Sequence, residues 1–267
     1  MIYTTELFIP PPTIQLNKDG YHGAASYSDY NYLKPGLFQK IKRRHFEIAL
    51  NLTKKYFHKA NVIDIGCADG PFIPSLSKYF NQVAGIEYDP RFVEQARKAV
   101  YKQHLENVSV LCNKESSFEE IRKGLGNTHY SIIFLMEVLE HVGQHWTTMY
   151  QDKVKFLKEA ATFLDNDGII VISVPKMTGF SFLFQVVGQV LFNLGNKKEI
   201  LSLPVTSLLK CVFLNDTDEI EPLWRPFYTH MGFSHLKFEM AIKSEFKIIK
   251  SKNDWFQKIY MVELKHD

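Results

Sequence analysis

The segment Val62-Ile-Asp-Ile-Gly-Cys-Ala-Asp-Gly70 constrains the fold of this chain more than any other stretch of its length. An apolar run of strand type (Val62, Ile63 and Ile65, around the acid Asp64) leads into a tight turn carrying Gly66 and Gly70. Phe72 to Phe80 then has the spacing of an amphipathic helix. A strand, a glycine turn and a helix, in that order, open a nucleotide-binding βα unit, because the glycines let backbone approach a ligand at the helix N-terminus. Gln82 to Ile86 reads as the next strand. It ends in Glu87, seventeen residues past Gly70, placed to accept hydrogen bonds from ribose hydroxyls.

The turn separates candidate cofactors. A dinucleotide fold uses G-x-G-x-x-G to set a helix N-terminus against a pyrophosphate. Here the spacing is Gly66-x-Ala68-x-Gly70, with Asp64 just before it. An acid at that point repels a diphosphate and suits a ligand carrying a sulfonium and an α-ammonium. The arrangement resembles motif I of the class I S-adenosylmethionine-dependent methyltransferases. The resemblance implies a cofactor-binding set of Asp64, Gly66, Ala68, Gly70 and Glu87, the last as the ribose-binding acid. Tyr88 would pack on the adenine or cap the sheet edge, Asn113 sits where that family places an adenine contact or serves as a turn residue, and Met136 closes the fourth strand beside the donor. The alternative is a structural βα turn with Asp64 as a solvated or capping acid.

Downstream, strands and helices alternate. Pro90 to about Gln103 reads as a helix, Val108–Leu111 as a strand, Ser117 to about Gly124 as a helix and Tyr130–Met136 as a buried strand. Met149 to about Leu164 is a further helix. Asn166-Asp-Gly168 is expected to turn into a fifth strand, Ile169–Val174. This order implies an α/β, doubly wound, Rossmann-like sheet. Phe246–Lys250 and Ile259–Leu264 are placed to supply the antiparallel pair that completes seven strands, as in methyltransferases. Residues 1–58 are expected to form an N-terminal arm and a covering helix (Leu37 to about Phe57), and residues 59–267 a methyltransferase domain.

An apolar insertion at 176–226 follows the fifth strand. Within it Met177–Gly195 carries no charged side chain, yet Gln185, Gln189, Asn193 and three glycines interrupt it. A lid or interfacial helix is expected, with peripheral membrane contact through 180–194; plain packing onto the domain is the alternative.

A formal net charge of +3 gives no electrostatic footprint for nucleic acid. Cys67, Cys112 and Cys211 form no C-x-x-C pair, against a disulfide scaffold or a cysteine zinc site. The N-terminus shows no basic region followed by an apolar stretch, so a cytoplasmic protein is expected. His45, His58 and His104 read as surface groups.

The chemistry-bearing run is Met136-Glu-Val-Leu-Glu-His-Val142, directly after the fourth strand, where ligands bind in open α/β sheets. A helical turn there would place Glu137, Glu140 and His141 on one face. His230 is a fourth candidate from beyond the insertion, and His145 and Trp146 are candidates for the pocket wall. The group reads either as acid–base machinery, with His141 as base and Glu140 beside it, or as a cation site on Glu137, Glu140, His141 and His230. Magnesium, manganese or zinc is the candidate ion, although the imidazoles disfavour magnesium.

Glu137-Val-Leu-Glu-His141, Ser173-Val-Pro-Lys-Met-Thr-Gly179 and the apolar Phe182–Leu191 segment together resemble the ubiquinone-biosynthesis O-methyltransferases. Lys176 departs from the asparagine usual there. The resemblance implies O-methylation of a small hydroxylated substrate, aromatic or lipid-linked. The E-x-x-E-H run with a later histidine also resembles small-RNA 3′-terminal 2′-O-methyltransferases, which hold magnesium on such side chains. RNA methylation is therefore an alternative, as is a non-catalytic nucleotide-binding Rossmann module.

Overall fold

The computed structural model describes residues 6–15, 21–126, 128–191, 197–226 and 230–265. Residues 1–5 and 16–20 of the expected arm, 192–196 of the apolar stretch and 227–229 ahead of His230 lie outside them. In chain order the strands are β1 (Val62–Ile65), β2 (Val83–Glu87), β3 (Val108–Cys112), β4 (Tyr130–Met136), β5 (Leu164–Pro175), β6 (Phe246–Asn253) and β7 (Gln257–Leu264). The helices are α1 (Leu37–Thr53), α2 (Ile73–Tyr79), α3 (Pro90–Lys102), α4 (Phe118–Leu125), α5 (Met149–Ala161), α6 (Gly179–Leu191), α7 (Lys197–Ser202), α8 (Val205–Leu209) and α9 (His235–Ile242).

Among the described residues the strands form one seven-stranded sheet in the order β3-β2-β1-β4-β5-β7-β6. The first five run parallel, and β7 is antiparallel to β5 and β6. Successive residues of a strand point to opposite faces, so a sheet buried on both sides needs apolar residues throughout. Ile63, Ile65, Ile133, Leu135, Ile170 and Ile172 pack on one face, against α5 and α9. Val62, Ile132, Phe134, Ile169 and Val171 pack on the other, with Phe46 and Leu50 of α1 and Leu76 of α2. Chain order reverses between β1 and β4, which opens a crevice at their C-terminal ends.

Local chemistry sets the helix starts. Asp89 caps α3 by accepting from the Arg91 N–H, with Pro90 in the first turn. Ser117 and Glu120 cap α4 reciprocally.

Three features differ from the sequence expectation. Strand β5 begins at Leu164, because Leu164 already pairs with Tyr130; Asn166-Asp-Gly168 is a bulge inside the strand rather than the turn before it. The arm is also more ordered than its composition suggests. The Leu7 and Phe8 amides donate to Glu47, the Ile9 amide donates to the Ser75 hydroxyl, and Gln95 donates to the Ile14 carbonyl, so the arm crosses α1, α2 and α3 in turn. It then forms a helical turn at Asp29–Leu33. Third, His45 is a core residue: it is 1% exposed, with its ring 4.0 Å from that of Phe46. Its position on the inner face of α1 decides this, whereas His58 and His104 are exposed as expected.

Between β5 and α9, helices α6 to α8 and a helical turn at Lys210–Leu214 gather around Met177, Phe182, Ile200, Cys211, Val212, Ile220 and Met231. Phe180, Phe184 and Val187 of α6 remain exposed. Among the described residues no helix is long and apolar enough to cross a membrane.

Candidate active site

The glycine turn is built by strand β1 and held by its neighbour β2. Gly66 sits at φ +76°, and a Cβ there would fall 2.5 Å from Val138, so both conformation and space demand glycine. The Gly66 amide donates to the Ile86 carbonyl at 2.7 Å, and that of Gly70 to Cys67 at 2.9 Å. The Glu87 carboxylate closes the turn: it accepts the amides of Ala68 (2.8 Å), Tyr88 (2.7 Å) and Asp89 (2.9 Å). Burial raises the Glu87 carboxyl above its ordinary value, while those three amides pull it back.

Asp64 is buried in β1 and pushed up to about 8, by burial first and the Glu87 charge second. A cationic ligand would favour its ionised form. Asn113 follows β3 and keeps a buried side-chain oxygen with no hydrogen bond, an acceptor free for an exocyclic amine. Tyr88 is exposed on the same rim, and Met136 is buried at the end of β4. A carboxylate anchored for ribose, an amide oxygen awaiting a donor and a buried acid fit a nucleoside with a cationic side chain.

The second half of the site follows β4. Glu137 takes φ +60°, and its amide donates to the Ser173 carbonyl (3.2 Å) and hydroxyl oxygen (3.0 Å). The Ser173 hydroxyl in turn donates to the Glu137 carboxylate at 2.9 Å. The left-handed residue breaks the helical turn expected over 137–141, so Glu137 does not share a helical face with the other two. Burial raises its carboxyl to about 7, with Ser173, Lys42 and Gln257 acting against the rise.

Glu140 and His141 ride on a short helical turn, Leu139–His141. Glu140 is fully buried, and neither carboxylate oxygen accepts a hydrogen bond. Burial and the Glu137 charge push it well above the usual carboxylate range. His141 Nε2 lies 4.0 Å from Glu140 Oε1 and 3.2 Å from His230 Nε2. Burial lowers His141 to about 4 and His230 to about 3, so both imidazoles are neutral at neutral pH. Glu140, His141 and His230 each offer a ligand atom within 4.8 Å of the others, a grouping suited to a cation. Of the four expected ligands, Glu137 stands outside this group.

A family profile described as a methyltransferase domain matches residues 37–230, which takes in the glycine turn, the Glu140–His141 turn and His230. The chain belongs to that family. This methyltransferase is 31% identical over 127 residues to a ubiquinone biosynthesis O-methyltransferase of Bradyrhizobium diazoefficiens, covering 48% of this chain and 44% of the relative. It is 24% identical over 159 residues to the enzyme of the same name from Coxiella burnetii, covering 59% and 60%. An aklanonic acid methyltransferase from a Streptomyces species is 29% identical over 164 residues, covering 60% of this chain and 66% of the relative. The chain thus spans about half of the length of these curated relatives.

Among solved structures, the N-methyltransferase NodS of Bradyrhizobium japonicum, in complex with S-adenosyl-L-homocysteine, superposes with a TM-score of 0.53 over 94% of this chain and 95% of its own, at 12% identity. Magnesium protoporphyrin IX methyltransferase from Synechocystis, with the same product bound, gives 0.52 over 86% and 88%, at 14% identity. At such identities the likeness concerns the fold. The chain thus combines the methyltransferase family match with the Rossmann-like methyltransferase fold.

Several residues of the site carry no local sequence signal. Ser173 and Gln257, which engage Glu137, come from β5 and β7 and meet it only through strand pairing. Trp224 donates its indole N–H to the Glu140 carbonyl at 2.9 Å, and the buried Lys153 donates to the Val142 carbonyl at 2.6 Å. The Lys153 ammonium lies 4.4 Å from the Trp224 ring centre. These two side chains hold both ends of the turn carrying Glu140 and His141. His145, a candidate for the pocket wall, is tied to Thr147 at 2.8 Å, and Trp146 packs against the main core.

Proposed function

We propose that this methyltransferase transfers the methyl group of S-adenosylmethionine to a hydroxyl oxygen of a small acceptor, aromatic or lipid-linked. The observation that carries the reading is the neutral imidazole pair beside a buried carboxylate, set at the end of β4 in the donor crevice. A hydroxyl, unlike a neutral amine, must lose its proton to become a competent nucleophile, and His141 is the base offered to it. The O-methyltransferase names of several relatives support the same class. S-adenosylmethionine, when bound, supplies an electrophilic methyl on a sulfonium. Asp64 and Glu87 would hold its cationic and ribose parts, and Tyr88, Asn113 and Met136 its adenine side.

Two features support an acceptor with an apolar portion. An apolar slot of about 290 Å³ opens between α1, α6 and the β6–β7 turn, lined by Leu37, Ile41, Phe184, Trp255 and Phe256. Phe180 and Val187 are exposed on the same helix as Phe184, which supports peripheral membrane contact through this part of 180–194.

A second reading adds a divalent cation on Glu140, His141 and His230. The two Glu140 oxygens, buried without a hydrogen bond, favour it, because a buried carboxylate needs a partner. Manganese or zinc suits this mixed donor set better than magnesium. Bound there, the ion would acidify an acceptor hydroxyl.

The test is methyl transfer from labelled S-adenosylmethionine to catechols, prenylated phenols, sugars and RNA ends, with and without chelator. O-methylation of a phenolic acceptor supports the proposal; transfer to nitrogen alone, or to RNA alone, refutes it.

A further inference from the structure

The N-terminal arm meets the donor turn at a contact that belongs to no motif. Asp69 stands between Gly70 and Ala68, whose amide Glu87 accepts. Its side chain is buried, and each carboxylate oxygen accepts from Ser28: Oδ2 from the amide at 2.9 Å and Oδ1 from the hydroxyl at 2.5 Å. Hydrogen bonds to an ionised carboxylate are about twice as strong as neutral ones. Two short turns prepare Ser28 for this role. Tyr21 and Ala24 exchange backbone hydrogen bonds at 2.8 and 2.9 Å. The Ala25 amide then donates to Asp29 Oδ2 and the Asp29 amide to the Ser26 hydroxyl oxygen, both at 3.1 Å. Ser28 begins the helical turn Asp29–Leu33 but makes no capping bond to it, because its hydroxyl points to Asp69.

The same stretch also rests on the far side of the donor turn. The Tyr21 and Tyr27 rings pack at 5.4 Å from each other, and they meet the Phe92 ring at 6.1 and 5.8 Å. Phe92 lies in the first turn of α3, just after Asp89, whose amide also donates to Glu87. Residues 21–28 therefore reach from Asp69 within the turn to Phe92 beyond the ribose-binding acid. Residues 7–14 are held elsewhere, on Glu47 of α1, Ser75 of α2 and Gln95 of α3. The arm thus has one anchor on the helices and a second contact at the donor turn itself.

We propose that residues 21–31 form a wall of the donor site and that Asp69 is its positioning residue: through Ser28 it holds Tyr21 and Tyr27 over the nucleoside, so that S-adenosylhomocysteine leaves only when this contact opens. This rests on the donor placement given under the proposed function, between the glycine turn and Glu87. Asp69 acts through the arm and not on the donor. The two phenol rings supply flat apolar faces with a polar tip, which suits an adenosine. A wall closed over a bound ligand excludes water and slows its escape, and such openings set the turnover of many enzymes.

The test measures hydrogen exchange and S-adenosylhomocysteine dissociation on the full chain. In wild type, saturating S-adenosylhomocysteine should slow amide exchange across residues 21–31 at least about tenfold more than at Leu7, Phe8 and Ile9, because only the first stretch faces the ligand. Ser28→Ala removes the hydroxyl bond, so dissociation followed by stopped flow should be at least about tenfold faster, with Ser28→Thr restoring most of the difference. In turnover, KM for S-adenosylmethionine should rise by a similar factor while kcat holds or rises, since the reacting groups are untouched. If Ser28→Ala does not fold, Tyr21→Leu, which thins the wall, is read for the same faster dissociation. Equal protection in the two stretches, unchanged dissociation in the variant, or a fall in kcat at constant KM would overturn the inference alone. A wild type that binds no S-adenosylhomocysteine, or a Glu87→Gln variant that binds it as wild type does, overturns the donor placement beneath it as well.

Discussion

His141 Nε2 and His230 Nε2 face each other at 3.2 Å although 89 residues separate them in the chain. Strand β4 delivers one, and the return of the chain from the α6–α8 segment delivers the other. If they share a cation with Glu140, chelation should abolish methyl transfer while donor binding stays nearly intact. Glu140→Ala and His230→Ala should then each remove most activity, because a lost ligand breaks the shared site. If His141 is an unassisted base, chelator has no effect, His141→Ala is severe and His230→Ala is mild. Activity titrated against chelator and added manganese distinguishes the two. Glu137→Gln should respond less to added metal than Glu140→Gln, since Glu137 stands outside the group of three.

Donor affinity should depend on Glu87. Glu87→Gln keeps the volume but loses the charge that anchors three turn amides and is placed for the ribose hydroxyls. Charge-assisted hydrogen bonds to such a group contribute about 1.5–3 kcal/mol, so calorimetry should show S-adenosylmethionine bound about ten- to hundredfold more weakly. Unchanged affinity would remove Glu87 from the donor site.

Asp64 links donor binding to pH. Its folded pKa of about 8 lies above the ordinary 3.8. The folded protein therefore holds a proton that the unfolded chain has lost, and stability falls as pH rises between those values. Without donor, Asp64→Asn should be more stable than wild type near pH 8 by at least about 1 kcal/mol, about 2–4 °C in Tm, with little difference near pH 4. The same variant should bind S-adenosylmethionine more weakly, because it has lost the charge that meets the cation. A Tm advantage independent of pH would contradict this account.

Lys153 gives the opposite slope. Burial lowers its ammonium from 10.5 to about 7, against a smaller pull from Glu140. Across that window the unfolded chain binds the extra proton, so the Lys153 contribution to stability rises with pH from about 7 to about 10. Lys153→Met, similar in volume and able to pack on Trp224, should flatten that slope in thermal melts at several pH values. It should also lower kcat, because the Val142 carbonyl loses the donor that holds the catalytic turn.

The apolar slot predicts a dependence on acceptor chain length. Phe184→Ser removes part of its wall, and burying such a ring contributes about 1.5–3 kcal/mol. KM for a prenylated phenol should rise about tenfold or more, while KM for the unprenylated phenol should stay unchanged. Equal effects on both would make the slot ordinary packing.

The segment Val62–Glu87 was enough to place the glycine turn and the acid closing β2, and the strand–helix alternation from there to Val174 implied the parallel sheet. Those features depend on residues close in sequence: strand alternation, the positive φ of Gly66 and Gly70, and caps such as Asp89. The presence of Glu140 and His141 at the end of β4 was legible for the same reason. Their geometry was not, because Glu137 adopts a left-handed conformation once Ser173 of β5 engages both its amide and its carboxylate. The burial of His45, the bulge at Asn166–Gly168 and the placement of Lys153 and Trp224 all rest on contacts made only once the elements pack. Sequence thus determined which elements form and where the donor turn lies, since local backbone preference and hydrophobic period act within a few residues. Tertiary structure decided which side chains share the crevice and which charges burial suppresses, because desolvation and long-range contact exist only after the elements pack.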